Sequence, residues 1–225
     1  MQLLFDLLAG IYAGITDQDT WRESFADMSA GFPNDPGARL LDLGCGPANS
    51  AIAYAGLRPG ATIVGVDFSK GMLERGRAAL TRSDASSRVL LARADAGCLP
   101  FADAAFDAVT GHSFLYLLPD RQRVLEEVRR VLRPGGVWAF MEPTTAPSGA
   151  TLAAARKSRR YLASTVGWRI VSAWKGRFDE AGLRELLEGA GLAVESVVPT
   201  LGGLGLLAAG TTNRDADRVR RVALL

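Results

Sequence analysis

Residues 40–49, Leu-Leu-Asp-Leu-Gly-Cys-Gly-Pro-Ala-Asn, constrain this chain more than any other stretch. An apolar run stops at a glycine-rich turn and gives way to a helical pattern. Gly44 and Gly46 let the backbone turn sharply with no Cβ in the way. A flat ligand can then come close to the main chain, above the carboxyl end of a strand. A second apolar run, residues 61–66, ends in Asp67. That carboxylate falls about twenty residues beyond the turn, where a βαβ unit places a ribose-binding acid. Strand, glycine turn, helix, strand and terminal acid together predict a nucleoside-containing cofactor.

The dinucleotide fingerprint G-x-G-x-x-G requires a third glycine at position 49, and this chain has Asn49. Pro47, expected at the first helical position, also removes an N–H that a pyrophosphate could use. The turn therefore suits a ligand without bridging phosphates. Further blocks follow in order: Gly65-Val66-Asp67-Phe68-Ser69 with Met72-Leu73, then Ala94-Asp95-Ala96 with Leu99-Pro100-Phe101. After them come Phe106-Asp107-Ala108-Val109 and Leu132-Arg133-Pro134-Gly135-Gly136. With Leu41-Asp42-Leu43-Gly44-Cys45-Gly46 at their head, these blocks span residues 38–142. In that order they resemble the class I S-adenosylmethionine-dependent methyltransferases, and most the small-molecule branch related to ubiquinone and menaquinone biosynthesis enzymes.

The resemblance implies a site. The backbone of Gly44, Cys45 and Gly46 would meet the methionine part of S-adenosyl-L-methionine, with Asp42 below fixing the turn and the cofactor's ammonium. Asp67 would hold both ribose hydroxyls, and Phe68 and Met72 would sandwich the adenine. Asp95 would accept from the adenine amino group, while the backbone N–H of Ala96 donates to the ring. The family often carries glycine where this chain has Ala48. His112, the one histidine of the chain, follows the fourth strand and would face the reactive methyl beside the cofactor. Its ordinary pKa suits proton removal from an acceptor, although a packed structural role is the plain alternative. Tyr116 and Tyr12 would support the site, Tyr12 by closing over the cofactor from the amino-terminal block.

Apolar runs and helical patterns alternate from residue 38 onward, which predicts an α/β fold. The expected architecture is a doubly wound, Rossmann-like, seven-stranded and mostly parallel sheet, with helices on both faces and a small helical lid. One domain is expected. Residues 1–37 form a helical cap, with Leu3, Leu4, Leu7, Leu8, Ile11 and Tyr12 on one helical face. Residues 38–143 form the cofactor-binding core, 144–177 a lid that binds the acceptor, 178–210 the last helix and strands, and 211–225 a basic tail.

Composition narrows the partners. With 26 basic and 24 acidic residues the chain carries a net +2, which does not point to nucleic acid. Two cysteines, Cys45 and Cys98, are too few for a disulfide framework, and no metal-binding spacing occurs. The first fifteen residues lack a basic leading segment and contain Asp6, and no apolar run reaches membrane-spanning length. A cytoplasmic enzyme is expected.

Residues 144–177 stand apart, with seven basic residues, no acid, and Tyr161, Trp168 and Trp174. We expect a small acceptor there with an apolar body and an anionic group, met by Arg169 and Lys175 at the pocket mouth. Peripheral contact with anionic lipid is the competing use of the same residues. Two other functions share the core pattern: non-methylating chemistry or a binding role on the same cofactor fold, and an NAD(P)-dependent oxidoreductase. Asn49 and Pro47 disfavour the oxidoreductase.

Overall fold

The computed structural model describes residues 19–145 and 159–212. Seven strands form a single sheet in the order β3-β2-β1-β4-β5-β7-β6. These are β1 (Arg39–Leu43), β2 (Thr62–Asp67), β3 (Val89–Arg93), β4 (Phe106–His112), β5 (Leu132–Pro143), β6 (Leu192–Thr200) and β7 (Gly205–Thr212). The first five run parallel, and β7 is antiparallel to both of its neighbours. The chain reverses direction across the sheet between β1 and β4, so a crevice opens above their carboxyl ends. In β1 every residue but Arg39 is buried, and in β2 every residue but Thr62 and Asp67, as befits central strands covered on both faces.

The helices are α1 (Asp19–Ser29), α2 (Asn49–Leu57), α3 (Lys70–Leu80), α4 (Arg121–Val131), α5 (Arg159–Lys175) and α6 (Glu180–Gly189). Local chemistry starts three of them. Ser69, Asp120 and Asp179 each accept a backbone N–H three residues on, which satisfies a donor left over in the first turn. Helix α4 then buries Val124, Leu125, Val128 and Val131 at helical spacing.

Most expected elements appear within a few residues of their sequence positions. Helix α2 starts at Asn49, so Pro47 lies in the turn and not at the first helical position. The fifth strand is longer than the apolar run of residues 137–141. It pairs at Phe106↔Leu132 and resumes at Ala108↔Val137, and the bulge between takes up Gly135 at φ 73°. Of the amino-terminal cap, α1 is helical, whereas the apolar face from Leu3 to Tyr12 lies outside the described residues, as does the tail beyond Thr212.

Two glycines let the turn after β1 nest on the sheet. A Cβ at Gly65 would lie 2.9 Å from the Cys45 sulfur, and one at Gly76 would lie 3.1 Å from the Ala48 methyl. Gly65→Val is therefore expected to lower unfolding free energy by about 2–3 kcal/mol, the cost of overpacking a tight core. Urea denaturation measures this, and an unchanged midpoint would mean that the turn does not rest on β2.

Candidate cofactor and acceptor site

The turn between β1 and α2 takes left-handed backbone at three alternate positions, with φ of 64° at Gly44, 53° at Gly46 and 66° at Ala48. Glycine adopts this freely, whereas an alanine pays about 1–2 kcal/mol for it. A Cβ at Gly44 would strike the Phe114 ring, and a Cβ at Gly46 would meet nothing within 4 Å. The space above Gly46 is open.

Asp67 closes the turn from the end of β2. One carboxylate oxygen accepts the Gly46 N–H at 2.9 Å and the other accepts the Ser69 N–H at 2.8 Å. Beneath them Asp42 is buried and accepts the Ser50 hydroxyl at 2.5 Å, while its Oδ1 finds no partner among the described residues. Burial raises the Asp42 pKa to about 7, partly offset by Ser50, and the nearby Asp67 adds to the rise. Burial likewise pushes the Cys45 thiol well up, so it sits in the turn as an inert neutral group.

The expected adenine side is half built by exposed groups. Phe68 presents an exposed ring, with the Arg93 guanidinium 5.5 Å from its centroid. Met72 is buried in the first turn of α3. Asp95 turns its carboxylate onto the Gly97 N–H at 2.8 Å, and Ala96 sits between them at the tip of the loop.

His112 ends β4 inside an aromatic box. Its ring lies 5.3 Å from Trp21 and 4.9 Å from Phe25, both edge-on, and Trp21 in turn meets Trp168 of α5 at 5.4 Å. His112 Nε2 is 3.0 Å from Ser24 Oγ, whose hydroxyl donates to the Trp21 carbonyl at 2.6 Å. The direction of the contact between the two side chains follows the tautomer of the ring. Burial lowers the His112 pKa to about 3, and the ring is neutral at physiological pH. Three buried polar atoms around it have no partner among the described residues: Trp21 Nε1, Trp168 Nε1 and Ser113 Oγ. Ser113 also holds φ at 56°, a strained conformation of the kind that collects at functional sites.

Residues 41–140 match the family model described as a methyltransferase domain. The chain is similar over these residues to methyltransferase domains. A 27-O-demethylrifamycin SV methyltransferase of Amycolatopsis mediterranei (strain S699) is 36% identical over 70% of this chain and 58% of its own length. A demethylmenaquinone methyltransferase of Clavibacter sepedonicus is 44% identical over 49% of this chain and 43% of its own. The chain thus spans about half the length of these curated relatives. Among solved structures, the [4+2]-cyclase SpnF superposes with a TM-score of 0.73 over 94% of both chains, at 17% identity. At that identity the likeness shows the fold.

The residues around the turn fit S-adenosylmethionine, the cofactor that a methyltransferase domain implies. A buried carboxylate oxygen without a partner, open space over Gly46 and an acid at the end of β2 suit its ammonium, its methionine chain and its ribose in turn. Tyr116 is buried, and its carbonyl accepts from Arg121. Tyr12 lies outside the described residues. Trp174 departs from expectation. It is 92% exposed and faces solvent, not the pocket mouth. Arg169 departs too, since its guanidinium donates to the Thr144 carbonyl at 2.8 Å and ties α5 to the end of β5.

Sequence reasoning missed Trp21, Ser24 and Glu142. Glu142 is wholly buried and accepts the N–H groups of Phe114, Leu115 and Tyr116 at 3.0, 2.7 and 3.0 Å. It fixes the turn that carries Phe114 against Gly44 and follows His112. Burial raises its pKa to about 7, while the three N–H groups and Arg121 pull it down. A strand ending in Met-Glu-Pro was the one available signal, because an acid rarely closes a buried strand without partners. Glu142→Ala leaves three buried donors unmet and is expected to cost about 3–5 kcal/mol. A loss near zero by urea unfolding would show that the turn holds without the carboxylate.

Proposed function

We propose that this protein transfers the methyl group of S-adenosylmethionine to an oxygen-bearing small molecule seated against the cluster of Trp21, His112 and Trp168. The observation that supports this most is the aromatic box at the carboxyl end of β4, holding a neutral histidine beside indole N–H groups that have no partner among the described residues. The bound cofactor supplies an activated methyl group open to in-line displacement, so the chain's share is alignment, water exclusion and proton handling.

Asp67 would hold the ribose, with Gly44, Cys45 and Gly46 lining the methionine chain and Phe68, Met72, Asp95 and Ala96 around the adenine. Trp21 and Trp168 would donate to the acceptor's oxygen, satisfying buried donors that otherwise cost about 1–3 kcal/mol each. The neutral His112 ring would accept the hydrogen bond of the acceptor's hydroxyl. A base with a pKa near 3 cannot strip a hydroxyl beforehand. It can take the proton as the methyl arrives, because an alkylated hydroxyl is strongly acidic. Support for an anionic group on the acceptor is reduced, since Arg169 and Arg177 donate to carbonyl and hydroxyl oxygens of the lid itself. The free thiols Cys45 and Cys98 support a reducing, cytoplasmic setting.

Asp42 makes the cofactor step pH-dependent. In the free protein its pKa is raised to about 7, so below that pH it is largely protonated. A cation beside it favours the charged form, and binding therefore releases a proton. Affinity for S-adenosylmethionine is expected to rise with pH by up to about tenfold per unit below neutrality and to level off above about 7. Calorimetry in buffers of different ionisation heat reads both the slope and the released proton. Asp42→Asn should bind more weakly and flatten the slope; a wild-type affinity independent of pH would remove Asp42 from the cofactor's ammonium.

Methyl-labelled cofactor incubated with an extract of the native host tests the transfer. Label should enter a small-molecule product, and His112→Gln should lower that rate by roughly 10²–10⁴ with cofactor affinity unchanged. The wild-type rate should also lack a histidine inflection near pH 6.5. Cofactor binding without any labelled product would overturn the transfer and favour non-methylating chemistry on the same fold.

A further inference from the structure

Helix α5 is inside out. Its buried positions are Tyr161, Ser164, Thr165, Trp168 and Ser172, three of them hydroxyl residues without aromatic rings. Its exposed positions between Tyr161 and Lys175 are Ala163, Val166, Ile170, Val171, Ala173 and Trp174, every one apolar. The large ones are 40% (Val166), 62% (Ile170), 41% (Val171) and 92% (Trp174) exposed, and they make up half of the eight large exposed apolar residues of the described structure. A helix on a soluble surface shows the opposite arrangement, and a contiguous apolar patch marks an interaction site.

Charge says what kind of surface covers it. Residues 144–177 carry seven basic residues and no acid, so the remainder of the +2 chain carries 2 − 7 = −5. Arg156, Lys157, Arg159 and Arg160 precede the apolar face, and Lys175 and Arg177 follow it. Two copies meeting through this helix would bring two such acid-free segments together, and like charges oppose that contact. A surface of anionic headgroups is complementary to both features, an acid-free basic stretch of sequence and a face of exposed indole and aliphatics. No helix among the described residues is long and apolar enough to cross a membrane, so the contact is peripheral. We propose that the outer face of α5 docks the protein on an anionic lipid surface. That places the lid, whose inner Trp168 lines the proposed acceptor box, against the bilayer.

The full-length chain is mixed with vesicles of phosphatidylcholine and phosphatidylglycerol at 7:3, and with phosphatidylcholine alone. Trp21, Trp138 and Trp168 are buried, so a change in indole emission reports chiefly on Trp174. The wild type should sediment with the anionic vesicles, shift its emission to the blue, and bind neutral vesicles at least about tenfold more weakly. Trp174→Phe should retain most of the binding, whereas Ile170→Asp and Trp174→Asp should each lose about tenfold or more. Affinity for S-adenosylhomocysteine, by calorimetry, should be the same in all of them. That arm fails only if the cofactor reading fails, and the vesicle arm is independent of it. The proposal is overturned if the wild type ignores anionic vesicles or if the aspartate variants bind as it does. A solution dimer that Ile170→Asp dissociates would instead assign the face to a second copy. A non-binding monomer with Trp174 emission already blue would assign it to the chain's own first eighteen residues.

Discussion

The glycine turn after β1 is the constraint on which the site depends. Its backbone turns left-handed at Gly44, Gly46 and Ala48, and each departure is held by something distant in sequence. Asp67 accepts from Gly46, the Phe114 ring lies over Gly44, and Gly65 and Gly76 leave room beneath. Phe114 stays over the turn because Glu142 ties down its N–H. Thus β1, β2, β4, β5 and α3 all fix one five-residue loop. Ala48 adds strain that a glycine would relieve, and the surrounding contacts must offset it.

Burial sets the ionisation of the carboxyls and of the histidine in this part of the fold. Burial drives Asp42 and Glu142 up to about 7 and His112 down to about 3. Burial is the largest cause of all three shifts, and a buried site disfavours charge of either sign. Such a site interacts strongly with a charged ligand that enters it, because little screening remains. A sulfonium carrying an ammonium is a ligand of that kind. Asp42 and Glu142 are not interchangeable here. Glu142 has three N–H donors and a structural task, whereas Asp42 keeps one oxygen without a partner among the described residues.

The core of the fold was legible because its signals are local. Apolar runs of four to six residues, a glycine pair and a terminal acid announce β1, the turn and β2 within thirty residues. For the same reason the sequence singles out, in the candidate site, the residues of the turn and of the end of β2. Ser24 lies 88 residues from His112, and Glu142 lies 26 to 28 residues from the N–H groups it accepts, so no spacing rule relates them. Trp21 sits in a segment whose periodicity says helix and nothing about the ring it touches. The lid misled for a different reason. A tryptophan beside a lysine in sequence suggested a pocket mouth, yet neighbouring positions on a helix point about 100° apart. Counting from Tyr161 by threes and fours reaches Trp168 and Ser172 and passes Trp174 by.

Helix α5 is held by its polar side, and this explains how it tolerates an apolar exterior. Arg169 reaches the Thr144 carbonyl, Arg177 reaches Ser172 and the Arg169 carbonyl, and Arg121 reaches the carbonyls of Leu115, Tyr116 and Lys175. Five carbonyls and a hydroxyl are thereby joined to three guanidiniums, between the end of β5, the turn after β4 and the last turn of α5. Arginine suits the task because its planar fork serves several acceptors at once. Hydrogen bonds to charged donors hold the lid in place, so its aliphatic residues are not needed for the core and are left at the surface. The same network joins the lid to the turn that Glu142 fixes. A displacement of α5 would therefore be felt at Leu115 and Tyr116, next to the residues that follow His112.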